Sequence, residues 1–199
     1  MHLGDVPVTQ IQDELVRQGG VLFFYTDLPK ETLAFEAVQK LSLLGAFENT
    51  DPDRFQTDGP AASLSDLNKK VYRFRPNDPV TLGEFSRMAV RGLQIPLSIT
   101  AAHFNDVPRN HPAFKYIETL YDYSTQSQEP FLDYDILREP EKRARVLARP
   151  DQELSSEYAT KILTGLLRKE VPSSPDPNAN LTRGEAAQLI YQQSKSGTE

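Results

Sequence analysis

The stretch Pro177–Tyr191, PNANLTRGEAAQLIY, repeats the outline of Pro76–Val90, PNDPVTLGEFSRMAV, 101 positions earlier. Pro76, Asn77, Thr81, Gly83 and Glu84 recur as Pro177, Asn178, Thr182, Gly184 and Glu185, while Val80 and Met88 recur as Leu181 and Leu189. A second pair aligns without a gap: DLPKETLAFEAVQKL (Asp27–Leu41) against DVPRNHPAFKYIETL (Asp106–Leu120). Between these anchors, PAASLSDLNKKVY (Pro60–Tyr72) and PDQELSSEYATKIL (Pro150–Leu163) share a proline, a spacer and Leu-Ser. The same three segments in the same order constitute a tandem duplication. Duplication constrains the fold strongly, because each repeat must bury its apolar face against its neighbour.

Each segment carries helical chemistry. After Pro29, the residues Leu33, Phe35, Val38, Leu41 and Leu44 keep a period near 3.6, with Gly45 placed to end the helix. Thr81 and Thr182 occupy N-cap positions, and Glu84 and Glu185 follow three residues later, completing two capping boxes. The recurrence of Asp27 as Asp106 assigns these aspartates a capping role as well. Val8–Gly20 reads as a further short amphipathic helix, and VLFFYTDLP (Val21–Pro29) is the best strand candidate, although aromatic residues feeding a helical core explain it equally well. Ser124–Pro150 reads as a long excursion with a short helix inside it, its basic run Arg138–Arg149 forming a solvated helix face. The expectation is an all-α protein: a tandem duplication of a three-helix unit with long proline-marked loops. Residues 1–20 form an N-terminal helix or linker, 21–98 the first unit and 99–199 the second.

Composition narrows the function. The chain is 38% hydrophobic and 25% charged, within the range of a globular protein. A net charge of -6 opposes nucleic-acid binding, which needs a basic face. The absence of cysteine removes disulfides, thiolate metal sites and cysteine nucleophiles. No stretch approaches the ~20 apolar residues of a membrane span. The first residues lack the basic start and apolar run of a secretory signal, which leaves the compartment open, with cell surface or periplasm expected if the chain is a piece of an exported protein.

The two phrases resemble the S-layer homology repeat. Its first phrase is matched by HFNDVPRNHPAFKYIETL (His103–Leu120) and more loosely by FYTDLPKETLAFEAVQKL (Phe24–Leu41). Its second phrase is matched by FRPNDPVTLGEFSRMAV and PDPNANLTRGEAAQLIY. The resemblance implies a non-catalytic helical module that attaches to cell-wall polysaccharide or packs against an adjacent protein domain. It associates the binding groove with the arginine of the T-R-x-E phrase, a position held here by Arg183 and, in the corresponding segments, by Leu82, Asp66 and Ser156. It also associates the groove with a tryptophan of the first helix. This chain has no tryptophan, and Thr32-Leu33 and His111-Pro112 stand in that neighbourhood. A fainter resemblance, from Asp5 to Phe47, is to the junction where some bacterial FAD-dependent oxidoreductases pass into a helical tail, which would place flavin chemistry outside this chain.

The remaining residues offer little chemistry. No G-x-G-x-x-G fingerprint follows a strand, no G-x-S-x-G serine occurs, and no cofactor is expected. His103 and His111 flank Asn105 and Asp106, where hydrogen bonding at a helix start outweighs metal ligation. Asp51, Asp53 and Asp58 hint at a calcium loop, but Phe55, Gln56 and Ala62 break the EF-hand template, so no metal site is expected. Tyr116, Tyr121 and Tyr123 have the helical spacing of core or interface residues, with sugar stacking as the alternative. No catalytic residue is assigned.

Overall fold

The computed structural model describes residues 17–18, 23, 25–47, 73–138, 144–172 and 176–195. In chain order these form α1 (Phe35–Leu43), α2 (Leu82–Gly92), α3 (Phe114–Thr125), β1 (Asp135–Leu137), β2 (Arg145–Leu147), α4 (Ser156–Leu167) and α5 (Arg183–Lys195). Pro60–Tyr72, the Asp51–Ala62 loop and most of Val8–Gly20 lie outside the described residues.

Helix starts organise the molecule. Three segments, Pro76–Thr81, Pro150–Ser155 and Pro177–Thr182, share one pattern: proline, three residues, an apolar residue, then a hydroxyl residue before the helix. Their apolar residues close a backbone ring. The Val80 N–H donates to the Leu181 carbonyl at 2.9 Å, Leu181 to Leu154 at 2.8 Å, and Leu154 to Val80 at 2.9 Å. Each helix then donates its first two N–H groups to another segment of the ring. Leu82 and Gly83 reach Gln152 and Pro150; Ser156 and Glu157 reach Ala179 and Pro177; Arg183 and Gly184 reach Asp78 and Pro76. The third N–H of each helix donates to its own cap hydroxyl, on Thr81, Ser155 or Thr182. In α2 and α5 the cap N–H donates to Glu84 and Glu185, so all four donors that a helix start leaves over are satisfied. The arrangement is cyclic, with a pseudo-three-fold axis through the ring.

The first-phrase helices buttress this ring. α1 packs on α5, α3 packs on α2, and α2 also packs on α5. Val38, Leu41, Phe85, Met88, Ile117, Leu120, Leu154 and Ile190 form the centre of the core. By the same symmetry a third helix would pack on α4. The Pro130–Asp133 segment lies there instead: Phe131 sits so close that a Cβ on Gly165 would fall 2.1 Å from its Cδ1. Ser124 Oγ accepts from the Phe131 and Leu132 N–H groups, and the Asp133 N–H donates to Tyr158 Oη at 2.7 Å.

Two expectations are corrected. The protein is not all-α, because Asp135–Leu137 pairs with Arg145–Leu147 in an antiparallel ribbon, with Ile136 opposite Val146. The segment read as a solvated helix face supplies β2. Short β-favouring triplets, DIL and RVL, hydrogen-bond better across than along the chain. Asn105 fixes the outer edge of β2: its N–H donates to the Val146 carbonyl, and its Oδ1 accepts from the Val146 N–H. The pairing of segments also changes, because the backbone ring joins Pro150–Leu163 to the two T-x-G-E segments. Pro150–Leu163 is the structural counterpart of the T-x-G-E segments, since it supplies the third member of the ring. Pro60–Ser65 keeps the same proline-to-hydroxyl spacing in sequence, with Leu64 in the apolar place, and lies outside the described residues.

Candidate functional site

Arg183 is the sequence-derived candidate, and its position follows from the ring. As the first residue of α5 it points across the ring toward α2, where its Nη1 pairs with Glu84 Oε1 and its Nε donates to the Phe74 carbonyl at 2.9 Å. The guanidinium also lies over the Phe74 ring, 5.1 Å from its centroid, and the side chain is 12% exposed. Glu84 therefore serves two helices: one oxygen closes the α2 capping box and the other holds Arg183.

These groups floor a cleft of about 90 Å³ lined by Thr81, Glu84, Arg87, His111, Pro112 and Asp151, among others. That volume holds roughly three waters. Arg87, one turn beyond Glu84, donates from Nε and Nη2 to the Gly45 carbonyl and stacks on Tyr116, 5.3 Å from the ring centroid. Burial, with a smaller push from Arg91 and against the pull of Tyr116, lowers the Arg87 pKa from its ordinary value to about 10. His111 Nδ1 accepts from the Ala113 N–H at 3.1 Å, the hydrogen bond at a helix start expected from sequence. Two arginines thus face two carboxylates. The cleft is rigid, polar and near charge balance, which suits hydroxyl groups better than a polyanion.

The remaining sequence candidates are distributed as follows. Thr81, Glu84, Thr182 and Glu185 form capping-box contacts. Asp27 and Asp106 cap no helix, as α1 and α3 begin after Ala34 and Ala113 without a side-chain cap. Each aspartate instead clamps the chain ahead of a ring proline. Asp27 accepts from the Phe74 and Arg75 N–H groups at 2.8 Å each, and Asp106 from Ala148 at 3.0 Å and Arg149 at 2.7 Å. Arg75 and Arg149 both have left-handed backbone, φ 58° and 57°, directly before proline. A carboxylate accepting two N–H groups holds that strained turn. His103 is apart from His111, its Nδ1 bonded to the fully buried Glu118 at 2.7 Å. Among the described residues, no group of three His, Asp or Glu side chains is placed to hold a metal ion.

Sequence reasoning missed Arg87, Asp151 and the Glu84–Arg183 pair, because each depends on which helix start abuts which. No protein-family model matches the chain, and no curated protein matches it in sequence. Among the described residues, no helix is long and apolar enough to cross a membrane.

Proposed function

We propose that this chain is a non-catalytic attachment module that holds cell-wall polysaccharide at the cleft over Arg183. What supports the reading is one juxtaposition. Arg183 and His111-Pro112 occupy the two places that the S-layer homology resemblance associates with a binding groove, and they line the same cleft although one follows a ring segment and the other precedes α3. The cleft admits a projecting hydroxyl or hydroxymethyl group rather than a whole sugar ring. Its guanidiniums are held in place before binding, so little side-chain freedom is lost.

The test is calorimetric titration of the protein with polysaccharide released from purified cell walls. Saturable binding is expected, weakened by about tenfold in Arg183→Ala and severalfold in His111→Ala. Because Arg183 also braces Glu84, the His111 variant separates lost contact from lost structure. A wild-type protein that binds no wall polysaccharide ends the proposal.

A further inference from the structure

The excursion that replaces a third buttressing helix builds a second groove beside the Arg183 cleft. It measures about 410 Å³ and is lined by Tyr134, Asp135, Arg149, Gln152, Glu153 and Tyr158, among others. The cleft takes Pro150 and Asp151 from the ring loop, and this groove takes Arg149, Gln152 and Glu153 from the same loop. Consecutive residues of one turn therefore serve both.

Tyr134 is the feature that gives the groove a chemistry. Its ring meets Phe104 and Tyr121 edge to face, at centroid distances of 6.1 and 5.8 Å, yet it stays 43% exposed. Both sides of it are pinned. Asp133 exchanges backbone hydrogen bonds with Tyr158 Oη and pairs with Lys161, while Asp135 pairs with Arg149. Glu153 is held by Asn180. The acids lining the groove are thus partnered, leaving planar hydrogen-bonding groups around a fixed aromatic ring. A pyranose has the complementary form, with an apolar C–H face and a rim of hydroxyls. A ring with one apolar body and polar surroundings recognises such a ligand at small entropic cost. The volume falls within the ~300–1,000 Å³ range of ligand sites, which the Arg183 cleft does not reach.

We infer that the Tyr134 groove is a saccharide subsite that stacks one neutral sugar ring while the Arg183 cleft holds a neighbouring unit of the same polymer. The inference rests on the attachment reading and adds the ligand class and a second contact. It is tested in the full chain with polysaccharide released from purified cell walls. Tyr134→Ala weakens binding about tenfold, Tyr134→Phe stays within about twofold of wild type, and Gln152→Ala costs about threefold. His111→Ala serves as the separate report on the cleft. If His111→Ala weakens binding while Tyr134→Ala binds as wild type, the subsite is overturned and attachment stands. No binding by the wild type overturns both. Should Tyr134→Ala fail to fold, Gln152→Ala decides alone, and an unchanged affinity overturns the subsite.

Discussion

Two aspartates show how a single carboxylate positions a whole segment. Asp27 and Asp106 each accept two backbone N–H groups across a loop, and both end on an arginine held left-handed before proline. An Asp27→Ala substitution strands two N–H groups and releases a turn that costs ~1–3 kcal/mol to hold. We expect a loss of about 2–3 kcal/mol in urea unfolding, with Asp106→Ala behaving alike and Asp106→Asn falling between. An Asp27→Ala protein as stable as wild type would show that the clamp is dispensable. The pairing itself was visible in the sequence as D-x-P repeated, but its partner was not. A carboxylate eight residues before a helix does not announce that its donors lie in another loop.

At the scale of elements, the glycine of T-x-G-E records which helices are buttressed. A Cβ at Gly83 would stand 3.0 Å from the Ala113 Cβ and 3.2 Å from the Pro150 carbonyl, and one at Gly184 3.0 Å from the Pro76 carbonyl. The ring counterpart on α4 is Glu157, which is exposed. The capping boxes, the Gly45 stop at φ 67° and the core positions Phe35, Val38, Leu41, Met88, Ile117 and Leu120 were legible from local pattern. The third ring member was not, because its serine cap and glutamate disguise the shared spacing, and the β1–β2 ribbon is too short to leave a periodic signal. Leu33 and Leu44, expected on the core face of α1, are exposed, since the helix begins two residues after Leu33 and ends at Leu43. Of the candidate site, Arg183 and His111-Pro112 were legible from the resemblance. The groove was not, because Tyr134 stands in an excursion that matched nothing. That excursion substitutes for a helix through Phe131 against Gly165. Gly165→Ala places a methyl 2.1 Å from the Phe131 ring, and overpacking of this kind costs ~1–3 kcal/mol. The thermal midpoint should fall despite alanine's better helix propensity, and a rise would show that Phe131 moves aside freely.

For the whole molecule, the ring and the crossed packing join early and late parts of the chain, and α1 on α5 is the longest such link. Tyr191 of α5 donates to Glu36 of α1 there. Burial first, then that hydrogen bond and the Glu36 charge, raise the Tyr191 pKa above its usual 10. Tyr158 is likewise raised, by burial and the Asp133 charge against a backbone hydrogen bond that lowers it. Tyr116 goes the other way: burial would raise it, but the Arg91 hydrogen bond and the Arg87 and Lys115 charges prevail. The sign follows from proton counting. Above pH ~10 the folded chain keeps protons on Tyr191 and Tyr158 that the unfolded chain has lost, so stability falls as pH rises. Tyr116 contributes a smaller opposing gain just below that pH, because its folded form loses its proton first. Urea midpoints measured from about pH 8 to about pH 11 should therefore decline, and Tyr191→Phe should flatten the decline even though it lowers the midpoint at pH 8. The comparison isolates one group, because lysines and the other tyrosines titrate in both proteins. Parallel curves would mean that the Tyr191–Glu36 contact does not carry the coupling between α1 and α5.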